Sequence, residues 1–172
     1  MLLKFLPHNI LFTIYFFMLD STDNHLLDLL QRNARLSYAE LGKAVGLSVS
    51  AVNERLKKLD AQGYVEHYTV RINAAQAGFD VCAFIHVLLI TPEYEDKFLQ
   101  RVSELQEIQE CHHITGEFSY LLKVRVRTTA ALETFLKQGL KTVPGIARTH
   151  TAIALSSPKE TSNLPILSNI LP

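Results

Sequence analysis

The sequence predicts an α+β chain, helical in its first part and strand-rich in its second, on three observations. Through residues 20–62 the apolar side chains recur at helical spacing behind good capping residues. From Val81 onward, runs rich in β-branched and aromatic residues alternate with two helical stretches. Gly116 and the pair Pro144-Gly145 then fall between elements, where turns are needed. The chain has 172 residues, enough for one ordinary domain or two small ones, and its 48% hydrophobic and 20% charged composition is that of a folded chain.

The first helix is predicted over DSTDNHLLDLLQRN, with Asp20, Ser21 or Thr22 as cap and Leu26, Leu27 and Leu30 on one face. Ser37-Tyr38-Ala39-Glu40 is a capping box, in which hydroxyl and carboxylate satisfy each other's free amide donors, and Leu41, Ala44 and Val45 continue it as a short second helix. Gly46 supplies the positive φ of a tight turn, and Ser48 caps the run VSAVNERLKKLDAQ, which stops at Gly63. The spacing of helix, four-residue turn and helix defines a helix-turn-helix at about 38–57. On its second helix Val52, Leu56 and Leu59 face inward, leaving Ser50, Asn53, Glu54 and Lys57 on the opposite side. The segment YVEHYTVRIN then reads as a strand or wing, with Asn73–Gly78 as connector, so the first domain is placed at 18–80.

The second domain, 81–156, reads strand (VCAFIHVLLI), helix (PEYEDKFLQRVSEL), strand (IQECHHIT), strand (SYLLKVRVRT), helix (AALETFLKQGLK) and strand (IARTHTAIAL). That βαββαβ order builds a ferredoxin-like unit, an antiparallel four-stranded sheet with both helices on one face. Phe84, Val87, Leu88 and Leu89 make the first strand apolar on more than one side, so the open sheet face is expected to be covered by a second copy, and a homodimer is the minimum assembly.

The ends read differently. MLLKFLPHNILFTIYFF is apolar enough to suggest a signal peptide or short anchor, but it holds Pro7, His8 and Asn9 and lacks a small-x-small cleavage site. Residues 1–17 are therefore read as an extension from an upstream start, with the working protein beginning near Met18 and no membrane partner. In the tail, 157–172, disorder is expected near Ser157 and weak docking of the Leu/Ile part.

Lys plus Arg and Asp plus Glu balance at 17 each, so contact with a polyanion must come from local clustering rather than net charge. Cys82 and Cys111 have no CxxC spacing and no disulfide framework, which suits a reducing cytoplasm. Cys111, His112 and His113 invite a metal reading, yet on a strand His112 faces away from the other two, so neither metal nor cofactor is expected. No nucleophile elbow, phosphate-cradling glycine loop or paired-carboxylate site is present, which argues against an enzyme.

The stretch MLDSTDNHLLDLLQRNARLSYAELGKAVGLSVSAVNERLKKLDAQGYVEHYTVRIN resembles the DNA-binding domain of the leucine-responsive/asparagine-operon (Lrp/AsnC) feast-famine regulators. ECHHITGEFSYLLKVRV and VPGIARTHTAIAL resemble that family's amino-acid-sensing domain, so the likeness runs from Met18 to Leu155. It implies a winged helix-turn-helix, an effector domain that dimerises and often assembles to octamers, and binding of double-stranded DNA modulated by a small amino-acid-like effector. The implied effector loop is Gly116, Glu117, Phe118, Ser119 and Tyr120. Ser119 stands where the family usually has Asp, which puts the usual ligand in question.

In a major groove, Ser48, Ser50, Asn53 and Lys57 would meet base edges, Asn pairing with adenine and Lys with guanine, while Glu54 would accept from cytosine. Arg55 and Lys58 flank that face, placed for phosphate contact or for packing on the first helix; Lys43 and Arg71 are weaker phosphate candidates. Two other readings remain at this stage. Siroheme decarboxylases resemble the same two-domain family and would give His112 and His113 an enzymatic role. A partner module with a purely structural helix-turn-helix would leave Asn53 and Lys57 without a task.

Overall fold

The computed structural model describes residues 19–166, so the reading of 1–17 lies outside it. The chain forms two compact units, one containing 19–70 together with 161–166, the other 71–160. Each is described by itself.

In the first unit α1 (Ser21–Arg32), α2 (Tyr38–Val45) and α3 (Val49–Ala61) enclose Leu26, Leu27, Leu41, Val52, Leu56 and Leu59, none more than 6% exposed. Local chemistry fixes each boundary. Asp20 caps α1 by accepting from the Asp23 amide at 2.7 Å, and the Asp23 side chain reaches back to the Asp20 amide. Ser37 and Glu40 form the reciprocal box expected at α2. α2 ends at Gly46 with φ of 72°, and Ser48 caps α3 by accepting from the Ala51 amide at 3.2 Å.

The turn between α2 and α3 holds three residues, Gly46, Leu47 and Ser48. Its tightness depends on a glycine inside α2: a Cβ on Gly42 would lie 2.5 Å from the Leu47 carbonyl oxygen, while the Leu47 amide donates to the Gly42 carbonyl at 2.9 Å. The segment 64–72, expected as a strand or wing, is not part of a strand among the described residues. A strand needs a neighbouring strand to take its backbone donors and acceptors, and none of the described strands pairs with this segment. Val65 packs against the helical core, but Val70 and Ile72 are open, at 77% and 67% exposure.

The second unit is an antiparallel sheet of β1 (Val81–Leu89), β2 (Ile108–His113), β3 (Tyr120–Val126) and β4 (Ile146–Ile153), in the order β2-β3-β1-β4. α4 (Glu95–Glu104) follows a short 3-10 turn, and α5 (Thr129–Thr134) runs on as a wider π-helical turn over Phe135–Leu140, closed by the Lys141 amide on the Leu136 carbonyl at 3.0 Å. Ala83, Ile85 and Val87 of β1 and Leu122, Val124 and Val126 of β3 pack against Phe98, Leu132, Phe135 and Leu140. The alternation of a strand therefore puts Phe84, His86, Leu88, Leu121, Lys123 and Arg125 on the other face. That face is only partly apolar: Lys123 and Arg125, their side chains 13% exposed, are closed over by Glu110 and Glu160 at 2.6–3.0 Å.

Candidate functional site

α3 divides its polar side chains between two environments. Val52, Leu56 and Leu59 anchor it in the core, which leaves Ser50, Asn53, Glu54 and Lys57 on the opposite side. Ser48, Ser50, Glu54 and Lys57 are exposed and Asn53 is half-buried. Ser48 and Ser50 share a hydroxyl contact at 3.0 Å, and Lys57 stands 3.8 Å from Glu54 with both side chains more than two-thirds exposed. An ion pair so open and long contributes little and gives way readily to another partner. Asn53 has no hydrogen-bonding partner among the described residues, so its amide keeps both donor and acceptor available.

Arg55 has different surroundings within this helix. Its guanidinium lies 2.6 Å from Asp20 and 2.7 Å from Asp23, whose side chain is 11% exposed. Both carboxylates belong to the capping box of α1, so Arg55 joins α3 to the start of α1, and of the two uses open to it the structure shows packing on the first helix. The two carboxylates raise the Arg55 pKa still further. For Asp20, burial works to raise the carboxyl, but the Asp23 amide and the Arg55 guanidinium outweigh it and hold the group below its ordinary value. The sequence offers Asp20 only as a cap candidate; that it and Asp23 neutralise Arg55 depends on how α1 and α3 cross. Lys58 is exposed at the flank of α3, as are Lys43 on α2 and Arg71 in the second unit.

The five residues from 116 to 120 part company. Gly116, at φ of 117°, makes the turn that lets the chain leave β2. Glu117 pairs with Arg148 of β4, and that guanidinium lies 4.9 Å over the Phe118 ring. Phe118 in turn meets His86 at 5.2 Å, and His86 meets His150, its cross-strand neighbour, at 5.9 Å. Ser119 turns inward: its amide donates to the Val87 carbonyl at 2.9 Å, and its hydroxyl accepts from the Leu89 amide at 3.3 Å. Tyr120 is 3% exposed and donates its phenol proton to Glu95 of α4. Burial and the neighbouring Glu95 push that phenol up to about 12.

The loop thus presents Glu117 and Phe118 outward, while Ser119 and Tyr120 fasten it to β1 and α4. Arg148, His86 and Glu95 were missed from the sequence, because their proximity follows from strand register. A cleft of about 290 Å³ in this unit is lined by Glu133, Leu136, Lys137, Leu140, Lys141 and Thr149, none of them from the loop.

Cys111, His112 and His113 diverge. Burial raises the Cys111 thiol, His112 reaches Glu110 at 3.3 Å, and His113 stacks on the Tyr120 ring at 4.9 Å. Among the described residues no group of three or more His, Cys, Asp or Glu side chains is placed to hold a metal ion, and no helix is long and apolar enough to cross a membrane.

Comparison with known proteins agrees with this geometry in both units. Residues 19–60 match the AsnC-type helix-turn-helix domain and residues 82–164 the Lrp/AsnC ligand binding domain. The leucine-responsive regulatory proteins of Klebsiella pneumoniae and Escherichia coli K12 are each 35% identical over 150 residues, 86% of this chain and 92% of theirs. A Neisseria meningitidis transcriptional regulator in complex with L-methionine superimposes with a TM-score of 0.85 at 30% identity, covering 89% of this chain and all of the other. Escherichia coli AsnC does so at 0.80 and 30%, covering 86% of this chain and 99% of its own.

Proposed function

We propose, from the premise that this chain belongs to the Lrp/AsnC family of DNA-binding transcriptional regulators, that α3 lies in the DNA major groove and reads bases through Ser48, Ser50, Asn53, Glu54 and Lys57. The observation that carries this reading is the outward face of α3: Asn53 has its amide unpaired among the described residues, Lys57 is weakly held, and three apolar residues fix the helix from behind. An amide in this position pairs with both polar edges of adenine, and an ammonium with guanine, at about 1–3 kcal/mol of discrimination for each good pair. Lys58 and Lys43 supply phosphate contacts, which set register and add affinity without sequence information. Arg55 serves the scaffold.

A balanced net charge leaves one reading head with modest affinity, so two or more copies act together on half-sites about one helical turn apart, as two-fold symmetry requires. The second unit is the sensor and the means of self-association, working in the cytoplasm on a small amino-acid-like effector. The relative crystallised with L-methionine supports that ligand class. With Ser119 tied to the β1 backbone, Glu117 and Arg148 are the charged groups the loop offers to a ligand's ammonium and carboxylate. No reaction is assigned to the chain.

A gel-shift titration against the chain's own upstream DNA and a scrambled duplex, at one near-physiological salt concentration and with a panel of amino acids, tests this function. Preferential retardation of the upstream DNA is expected, altered by at least one amino acid. Equal, weak retardation of both, repeated on a library of other genomic fragments, would contradict it.

A further inference from the structure

The carboxylate of Glu160 lies where three cations of the sheet unit converge. Lys123 reaches it at 2.6 Å, Arg125 donates to both of its oxygens at 3.0 and 3.1 Å, and Arg71 stands at 3.7 Å. All of these residues belong to the unit 71–160. Lys123 and Arg125 are alternate residues of β3 and share the sheet face away from the helices, their side chains 13% exposed. Their other partners are few: Lys123 has Glu110 of the neighbouring strand at 2.8 Å, and Arg125 has the side-chain oxygen of Gln109 at 3.4 Å. The Lys123 hydrogen bond, reinforced by Arg125, keeps the Glu160 carboxyl below its ordinary value.

The stretch that delivers Glu160 is itself held by little. The Ala154 amide donates to the Cys82 carbonyl at 2.9 Å, and from there residues 155–159 are exposed, Leu155 completely. Glu160 is thus a carboxylate on a short tether, kept in place by charge. Withdrawn, it leaves three cations against the one carboxylate of Glu110, an excess of two positive charges, and Arg125 keeps only an amide oxygen. Cations mostly removed from water and without a counter-charge draw in an anion. The planar guanidinium suits the paired oxygens of a carboxylate or a phosphate.

We propose that Arg71, Lys123 and Arg125 form a binding niche for a small doubly charged oxyanion, a dicarboxylate or a phosphate, and that Glu160 is its built-in competitor. The tethered carboxylate and the free anion exclude each other. The free anion therefore binds only the fraction of molecules whose niche is open, and its apparent dissociation constant rises in inverse proportion to that fraction. A short flexible tether supplies an effective concentration on the order of millimolar, so the niche answers to anions in that range rather than to traces. None of its residues lies in the loop at 116–120 or in the first unit, so the niche stands apart from the effector and DNA readings given above.

The test is an NMR titration of the full chain with inorganic phosphate and, separately, with succinate, at constant ionic strength and with sodium chloride as the reference. The backbone amides of residues 123 and 125 report binding, and those of β1 and α4 report that the unit is folded. At least one of the two anions is expected to bind Glu160→Gln, which keeps the shape and loses the charge, about tenfold or more tightly than the unaltered chain. Which anion does so separates a phosphate ligand from a dicarboxylate. Adding Arg125→Gln or, in a separate protein, Lys123→Gln to Glu160→Gln abolishes that binding. Equal affinity in Glu160→Gln and the unaltered chain would overturn Glu160 as the competitor. Absence of binding beyond that of chloride in folded Glu160→Gln, or undiminished binding in both double variants, would overturn the niche.

Discussion

On the outward face of α3 Asn53 meets no hydrogen-bonding partner among the described residues and Lys57 only approaches Glu54, at 3.8 Å, whereas in the loop at 116–120 nearly every polar group already has a partner. Glu117 has Arg148, Ser119 has the backbone of β1, and Tyr120 has Glu95. The contrast separates two ways of binding. A face that reads a duplex carries donors and acceptors that water can leave at small cost, because the partner brings its own complement. A loop whose groups are paired in advance must exchange existing bonds for new ones, so a ligand there acts by rearranging contacts, and only a difference in its affinity for the two arrangements can shift the protein.

That contrast can be broken first at the scaffold of α3. Leu41 is fully buried between the three helices, and Leu41→Ala is expected to cost about 2–5 kcal/mol, enough to unfold the first unit at physiological temperature while the β-sheet unit keeps its own melting transition. Differential scanning calorimetry resolves the two; a single unchanged transition would mean that the units do not melt as drawn.

Arg55 sharpens it next, because Arg55 and Lys57 share a helix and a charge but have opposite surroundings. Arg55→Ala should lower the stability of the first unit by about 1 kcal/mol, in keeping with a partly exposed ion-pair network, and leave DNA preference intact once the protein is folded. The pH dependence follows from the direction of the Asp20 shift. Its folded-state carboxyl is held below the ordinary value, so the stabilisation is complete above about pH 4 and disappears as the pH falls through the folded value. Urea titrations between pH 3 and 6, in steps of about half a unit, should show a loss of stability on acidification that is smaller in Arg55→Ala. An equal loss in both proteins would remove Asp20 from the account.

The smallest effect lies in the loop. Ser119→Ala leaves the Leu89 amide without its acceptor, a cost of about 0.5–1.5 kcal/mol, readable as a small fall in the melting temperature of the second unit. No change at all would mean that the hydroxyl does not fasten the loop.

How much of this could be read from residues alone depends on the range of the interaction. The capping box at Ser37, the positive φ at Gly46, and the inward set Val52, Leu56 and Leu59 are local or periodic, and each was legible, whereas Asp20 was one of three cap candidates and its box with Asp23 went unread. So was the βαββαβ order, since the hydrophobic period changes where helices give way to strands. Arg55 was ambiguous because its partners lie 32 and 35 residues earlier, and only the crossing of α1 and α3 chooses between them and a phosphate. Strand register was likewise silent, so Arg148 over Phe118 and the His86–His150 pair could not be anticipated. The segment 64–72 has strand composition without a strand partner, and composition cannot supply the neighbour that hydrogen bonding requires. Gly42 escaped notice because its importance comes from the Leu47 carbonyl beyond the end of its own helix.

The central claim is that the outward face of α3 reads DNA sequence. Fluorescence anisotropy of Asn53→Ala/Lys57→Ala, titrated at fixed salt against the preferred duplex and its scrambled counterpart, tests it most directly, with light scattering to confirm that assembly is unaltered. Loss of affinity for the preferred duplex by about 30-fold or more, equivalent to about 2 kcal/mol, with binding to the scrambled duplex changed far less, is the predicted result. A double variant that still prefers its duplex over the scrambled one by the original margin would contradict the assignment.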